Sequence, residues 1–175
     1  MSNSIKIEEH DHLRGKRDAE VVLVEYGDFQ CPYCARAHAA LTELMRQHGG
    51  RVALVYRHLP LVDLHPFAFA AAEAAEAAGA QGKFWEMHDA LFENQGMFDE
   101  DALPAVASSL GLDAQRFARE LDDDKHAGRV EANAEGGRAL GAHGTPTFFI
   151  NGERYHGDSD HASLAAAIND ALEGG

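Results

Sequence analysis

Residues 21–34 read VVLVEYGDFQCPYC, and the interpretation of the whole chain starts from this stretch. Its first four residues are apolar and mostly β-branched, which is typical of a buried strand. Gly27 and Asp28 interrupt the run, and from Cys31 onward alanine, leucine and methionine recur at helical spacing as far as Met45. The pattern therefore predicts a strand that turns into a helix, with Cys31 at the first turn of that helix.

The predicted position of Cys31 favours an ionised thiol. Unpaired N–H groups and the helix dipole stabilise negative charge at the N-terminus of a helix. Pro32 fits there, because the N–H that it lacks would be unpaired in any case. The thiolate is the reactive form of cysteine, and Cys34 lies one helical turn later, where it can attack a mixed disulfide formed on Cys31. We therefore interpret the two cysteines as a redox-active dithiol.

Metal binding is the alternative use of such a pair. Structural zinc needs four ligands, usually from two such pairs, and this chain has only two cysteines. A metal-handling or redox-sensing module would therefore have to combine Cys31 and Cys34 with histidines such as His38 or His143, which together would suit a soft metal. His38, one turn past Cys34, is expected instead to cap the helix or pack on its surface.

Two motifs together resemble the DsbA-like branch of the thioredoxin superfamily. They are GDFQCPYC at residues 27–34 and GTPTFF at residues 144–149, separated by a largely helical stretch. The resemblance begins near residue 18 and continues to the last helix. It implies an α/β thioredoxin fold in one domain (residues 1–175), with a helical insertion over about residues 65–140. It also implies a thiol:disulfide oxidoreductase that requires no metal or organic cofactor.

Glu25 is a carboxylate in an otherwise apolar strand. Such a group is costly to bury unless it is paired or functional. The resemblance implies an acidic proton acceptor at this place, close to the resolving thiol. Burial would raise the pKa of its carboxyl, which would suit Glu25 to take the proton from Cys34. The resemblance thus assigns catalytic roles to Cys31, Cys34 and Glu25, and a surface glutamate is the alternative for Glu25.

The second motif places a proline at the start of a strand. Proline cannot donate to a sheet ladder, so Pro146 belongs at such a boundary. The resemblance implies that Pro146 is cis and lies against the CxxC turn. The backbone of Thr145 would then face outward and could pair with an extended client segment. Pro32 and Tyr33, between the two cysteines, complete the expected substrate-binding set.

Charge and hydropathy exclude several classes of partner. The chain has 29 acidic and 15 basic residues and a formal charge of −14, which argues against nucleic acid or an anionic membrane surface. No apolar run approaches the roughly 18 residues of a spanning helix. The first ten residues are polar and lack the apolar core of a signal peptide, so we expect a cytoplasmic protein.

The direction of exchange is inferred from two further features. The first is the Pro-Tyr pair between the cysteines, which resembles that of glutaredoxins. The second is the expected cytosolic location, because a reducing cytosol keeps thiols reduced, so that a disulfide there is transient and catalytic and not structural. We therefore expect a reductase or isomerase that acts on client proteins with disulfides or thiols and is recycled by glutathione or a thioredoxin system. A glutathione-dependent isomerase or transferase on the same fold is the weaker alternative, because that branch does not need Cys34.

The rest of the chain predicts the elements around these motifs. Residues 1–17 are expected to be a solvated tail, in which His10 to His12 could form a weak metal site. Asn151-Gly152 is a hairpin signal, and Asp160 is expected to open the last helix. The other predicted elements are a strand over residues 51–58 and helices over residues 66–78 (Pro66 in the first turn), 83–93 (aromatic face in the core), 99–110, 113–121 and 125–140.

Overall fold

The computed structural model describes residues 5–96 and 99–174. A five-stranded sheet has the order β1-β3-β2-β4-β5; β2 and β3 are parallel, and the other pairs are antiparallel. The strands are β1 His12–Arg14, β2 Val21–Gly27, β3 Val52–His58, β4 Thr147–Ile150 and β5 Glu153–Tyr155. The helices are α1 Pro32–His48, α2 Ala68–Ala80, α3 Phe84–Glu93, α4 Leu103–Ser109, α5 Ala114–Asp122, α6 Ala127–Ala139 and α7 His161–Glu173.

This element order is the α/β thioredoxin arrangement with a helical insertion that the resemblance implied. β2 lies between β3 and β4, and α1 follows it directly, so the CPYC stretch lies at the carboxyl edge of the sheet's central strand. The inserted helices α2 to α6 lie between β3 and β4. No helix in the described ranges has both the length and the apolar character needed to cross a bilayer.

The core forms where α1, α2 and α3 meet the sheet. The alanines of α2 are largely buried, and their small side chains allow close helix packing. Phe84, Met87, Leu91 and Phe92 of α3 join one buried cluster with both cysteines and Tyr56. The aromatic face of α3 is therefore core, as its spacing predicted. The other side of α1 packs with β2 and α7 in a second cluster.

In the N-terminal segment, residues 11–14 correct the prediction of a solvated tail, and residues 1–4 of that prediction lie outside the described residues. His12–Arg14 forms β1 and pairs antiparallel with β3. Asp11 makes a buried ion pair with Arg57 at 2.8 Å, and His12 binds the buried carboxylate of Glu76 at 2.7 Å. The prediction failed because these partners lie far along the chain, so no local pattern marks them.

The start of α2 differs from the prediction as well. The helix begins at Ala68, and Pro66 lies in the preceding turn rather than in the first helical turn. The backbone N–H of Phe67 donates to Gln30 Oε1 at 2.8 Å. A side chain from the active-site loop thus satisfies an N–H at the entrance of the helix, which fixes the boundary beyond the proline.

Candidate active site

The two cysteines lie one helical turn apart at the beginning of α1. Cys31 is the N-cap residue and Cys34 lies in the first turn. Both are free thiols, 4% and 0% exposed respectively. The N–H of Cys31 donates to the Asp28 carbonyl at 3.1 Å, which closes the turn before the helix. The dithiol predicted from the sequence is therefore placed at a helix mouth, with the first sulfur nearer to solvent.

The structure shifts the pKa values of the two thiols in opposite directions. A hydrogen bond from Cys34 lowers the pKa of Cys31 to about 5; burial opposes this, and Thr145 with the backbone N–H groups of Cys34 and Tyr33 supports it. Burial and the hydrogen bond to Cys31, with the charge of Glu25, hold the pKa of Cys34 well above its usual range. One thiol is thus poised to attack, and the other keeps its proton.

Glu25 is buried beneath this pair. Its side chain is 1% exposed, and burial, together with the negative charge of Cys31, raises its pKa to about 8. Its Oε1 atom has no hydrogen-bond partner. The burial and the raised pKa agree with what the sequence predicted for this carboxyl, and the surface alternative is wrong. A carboxyl with a pKa near neutrality is suited to accept a proton.

Asp28 anchors the loop that carries the cysteines, and sequence reasoning saw it only as an interruption of the strand. Its Oδ1 accepts the N–H of Gln30 at 2.7 Å. Its Oδ2 accepts the N–H of Leu61 at 2.8 Å and faces His65 Nδ1 at 2.9 Å. The contact two residues ahead is an Asx-turn, which is a signal the sequence contains. The other two contacts depend on tertiary structure.

Gln95 ties the helical insertion to the same loop. Its Nε2 donates to the carbonyl oxygens of Phe29 and Cys31, both at 2.8 Å. These carbonyls flank the turn that sets the position of the first sulfur. Gln95 was not predicted from the sequence, because an amide in a loop after a helix carries no pattern that would reveal this contact.

The second motif lies against the first sulfur. The peptide bond from Thr145 to Pro146 is cis, as the resemblance implied. Cys31 Sγ lies 3.5 Å from the Thr145 carbonyl oxygen, to which its thiol donates. Tyr33 is 58% exposed beside this contact, and Pro32 is also exposed. A cleft of about 210 Å³ opens here, lined by Tyr33, Thr145, Pro146, Phe148, Tyr155, Gly157, Asp158 and Ser159.

The structure does not group the residues as the metal-binding hypothesis for Cys31, Cys34, His38 and His143 requires. His143 is exposed, whereas His38 is buried in the interior and not on the helix surface as expected. Within the described ranges, the donor group that could hold an ion is His38, His88 and Asp89, and it contains neither cysteine. Arg14 already pairs with Asp89 at 2.7 Å. In the part of the chain that the structure describes, neither cysteine belongs to such a donor group, and the pairing with Arg14 makes the cluster of His38, His88 and Asp89 part of an ion-paired network.

Comparisons with known proteins agree with this geometry. A family model described as Thioredoxin matches residues 8–170. Sequence relatives are the Na(+)/H(+) antiporters NhaA 1 of Salinispora arenicola (48% identical over 166 residues, 95% of this chain and 25% of the antiporter) and NhaA of Herminiimonas arsenicoxydans (41%, 95% and 26%). The chain thus spans about a quarter of the length of these relatives.

Solved structures resemble the chain along nearly its whole length. A thioredoxin-like oxidoreductase from Silicibacter pomeroyi is 30% identical with a TM-score of 0.79, covering 95% of this chain and 94% of that one. Pseudomonas aeruginosa DsbA2 is 28% identical with a TM-score of 0.76, covering 94% and 96%. Oxidised BdbD from Bacillus subtilis, 22% identical with a TM-score of 0.84 and 98% coverage of both chains, shares the fold.

The fold and the paired thiols, Cys31 and Cys34 in a CxxC motif, are similar to those of the DsbA-like thioredoxin-fold oxidoreductases. The chain belongs to the thioredoxin family, whose model matches it from residue 8 to residue 170.

Proposed function

We propose that this chain exchanges disulfides with client proteins through its CPYC dithiol, with Cys31 as the attacking or attacked sulfur and Cys34 as the resolving one. The observation that carries the proposal is the placement of two free thiols one helical turn apart at the start of α1, with Cys31 Sγ 3.5 Å from the Thr145 carbonyl oxygen before the cis proline. These surroundings lower the pKa of Cys31 to about 5 and hold that of Cys34 well above its usual range. A thiolate and a retained thiol are what the two halves of an exchange reaction need.

In the reducing half-reaction, the Cys31 thiolate attacks a client disulfide. A bond forms between Cys31 and one client sulfur, and the other client sulfur leaves as a thiolate. Cys34 then gives its proton to the Glu25 carboxylate, and its sulfur bonds to Cys31 as the client sulfur held in the mixed disulfide leaves as a thiolate. Two electrons have passed from the dithiol to the client, and the reverse sequence oxidises a client dithiol.

The cleft beside Pro146 supports binding of an extended client segment. The backbone of Thr145 lies against Cys31, so a client strand alongside it would bring its own sulfur to the reacting atom. Tyr33 provides an exposed aromatic wall, and Arg36 lies 4.6 Å from its ring in a cation–π contact. We assign Pro32, Tyr33, Thr145 and Pro146 to client binding.

The low pKa of Cys31 supports the oxidising direction. Stabilising the thiolate stabilises the reduced protein, which makes its disulfide a stronger oxidant. The sequence predicted a reductase or isomerase, so a low potential typical of a reductase would contradict the oxidising direction proposed here. Related proteins have potentials from about −120 to −270 mV, and we propose that this chain lies in the upper half of that range. Equilibration with glutathione at several ratios of oxidised to reduced thiol measures the potential.

Two variants test the assignment of the sulfurs. Cys31→Ser should abolish exchange with a disulfide-bonded client, and Cys34→Ser should trap a mixed disulfide that mass spectrometry detects. His143→Ala, at an exposed histidine near the second motif, is the matched control and should retain the parental rate. Parental turnover in Cys31→Ser would overturn the proposal.

Titration of the thiolate absorbance gives a second test. The wild-type protein should show an absorbance rise centred near pH 5 that is missing in Cys31→Ser. Cys34→Ala should shift the midpoint upward, because Cys31 loses its principal hydrogen-bond donor. A wild-type midpoint above pH 8 would contradict the proposed activation of Cys31.

A further inference from the structure

Tyr56 is buried in the same cluster as the two thiols. It belongs to β3 and pairs directly with Glu25 of the parallel neighbour β2. Directly opposed residues of neighbouring strands point to the same face of a sheet, so both side chains lie on the face that holds the cysteines. Tyr56 shares one packed cluster with Cys31 and Cys34.

The phenol ring is directed towards the active-site loop. A Cβ atom at Gly27 would lie 2.7 Å from the Tyr56 hydroxyl and 2.6 Å from its ring. Gly27 is therefore the residue that makes room for the hydroxyl end of the ring. Phe29, with ring centroids 5.2 Å away, and His88, at 4.7 Å, hold the ring on its other sides.

Among the described residues around this face, the buried atoms without a hydrogen-bond partner include His58 Nδ1 and His88 Nε2 as well as one atom each of Tyr56 and Glu25. The Tyr56 hydroxyl and Glu25 Oε1 are both inaccessible to solvent and have no hydrogen-bond partner. An unsatisfied buried polar atom is costly, so two of them beside the resolving thiol call for a functional explanation. A phenol offers a donor and an ionised carboxylate accepts one, so the two groups are chemically complementary.

The charged surroundings leave this donor role to Tyr56. The groups that face the pair are Cys31 and Cys34 from α1, Asp28 from the loop, His58 from β3 and His88 from α3. Burial lowers the pKa of His58 and brings that of His88 to about 4, which favours neutral rings. A neutral ring has one N–H, which His58 donates from Nε2 to Glu76 and His88 donates from Nδ1 to Asp89, so the other ring nitrogens are acceptors and cannot take the donor role. The thiols and Asp28 bring only negative charge when they ionise.

Resting on the proposed function, we propose that Tyr56 is a positioning residue for proton transfer, whose hydroxyl donates a hydrogen bond to Glu25 as that carboxyl ionises. Glu25 must be a carboxylate when it receives the Cys34 proton, and a neutral donor stabilises that form without adding a buried charge. When the proton arrives, the carboxyl becomes neutral and the hydrogen bond weakens. The Cys34 sulfur then closes the disulfide with Cys31 and the client thiolate leaves.

Tyr56→Phe tests this inference, because it keeps the ring and removes only the hydroxyl. Loss of a hydrogen bond to a charged group should raise the pKa of Glu25 by about one unit. Carbon NMR of labelled glutamate carboxyls measures that pKa directly. The resolving step, followed by release of a client from the mixed disulfide, should slow by up to about tenfold at pH 7, because fewer molecules carry an ionised Glu25.

Tyr26→Phe is the matched control. Tyr26 is a buried tyrosine that follows Glu25 in β2 and therefore points to the opposite face. Its hydroxyl accepts from Arg57 at 3.0 Å. This variant should leave the pKa of Glu25 unchanged. In a Glu25→Gln background, Tyr56→Phe should add no further change to the pH profile of resolution.

The outcomes separate this inference from the proposed function. A pKa of Glu25 that moves by less than about 0.3 units in Tyr56→Phe, or that moves equally in Tyr26→Phe, would overturn the role of Tyr56. Exchange that fails in the wild type, or that persists in Cys31→Ser, would overturn the proposed function instead. Thermal unfolding of both tyrosine variants confirms that each is folded when it is titrated.

Discussion

Two carboxylates of this protein, Glu25 and Glu76, are both buried but differ in their hydrogen-bond partners. Glu25, beneath the cysteines, is 1% exposed, and Glu76, where α2 meets the sheet, is 5% exposed. Glu25 Oε1 has no hydrogen-bond partner. Glu76 binds His12 at 2.7 Å and His58 at 2.8 Å, and pairs with Arg129 at 2.6 Å. The two sites differ in partners far more than in burial.

The consequence is a pair of opposite pKa shifts. Burial raises the pKa of Glu25 to about 8. Burial acts on Glu76 in the same sense, but the hydrogen bonds from His12 and His58 outweigh it and hold its pKa far below the usual range. Burial alone therefore raises the pKa of a carboxyl and makes it a better proton acceptor. Burial together with hydrogen-bond donors keeps the carboxyl ionised, so that it binds the surrounding segments together. Glu76 holds α2 against β1, β3 and α6, and Glu25 stays available for proton transfer.

The largest effect on stability is expected from removing the charge of Glu76. Glu76→Gln leaves Arg129 and two histidines without their anion, and breaking a buried pair in this way costs about 3–5 kcal/mol of unfolding free energy. Urea unfolding at pH 7 measures the loss. Because the folded pKa of Glu76 is lowered, its contribution is complete above the unfolded value of 4.5 and is lost as the pH falls below it.

Glu43→Gln is the matched control, because it makes the same substitution at an exposed ion pair. Glu43 pairs with Arg46 on the exposed surface of α1, so Glu43→Gln should leave the urea midpoint unchanged within error. If Glu76→Gln changed the urea midpoint as little as this control, the claim that its partners make Glu76 stabilising would be wrong.

The reverse change is expected at the other carboxylate. The folded pKa of Glu25 is about 8 against 4.5 unfolded, so its ionisation opposes folding as the pH rises above 4.5 and reaches full effect above about 8. Glu25→Gln should therefore stabilise the reduced protein by about 3 kcal/mol at pH 7. The gain should vanish near pH 4, where both states are protonated. Unfolding curves at both pH values decide this; a destabilised variant at pH 7 would refute it.

The smallest effect should come from Asp28, which is buried but has three donors. His65→Ala removes one of them and leaves the N–H groups of Gln30 and Leu61 in place. We expect a loss of about 1 kcal/mol in unfolding free energy at pH 7. A loss as large as that of Glu76→Gln would show that the number of remaining donors does not set the cost. Urea unfolding beside His143→Ala measures the difference.

Local sequence was enough to predict the elements that carry the sulfurs. The β-branched run before Gly27, the helical spacing after Cys31 and the proline at position 32 together specify a strand, a turn and a helix. Asn151-Gly152 specified the hairpin, whose strands are β4 and β5. These features depend on steric preferences over a few residues, which a sequence displays directly.

Long-range pairing accounts for what the sequence did not reveal. Asp11 and His12 looked like a solvated tail, yet they bind Arg57 and Glu76 inside the fold. Gln95 reaches the carbonyls of the active-site loop from the helical insertion. Each of these contacts joins residues more than 40 positions apart, so nothing in the neighbouring sequence constrains it.

The sequence by itself determined that a cysteine stands at a helix N-terminus with a second one turn later, because helix geometry and proline chemistry are local. It also marked Glu25 as a carboxylate in an apolar strand. Only the tertiary structure decided that this carboxyl is buried without a partner for Oε1 while Glu76 has several. The physical reason is that a pKa depends on the dielectric and the donors around a group, and packing of distant segments supplies both.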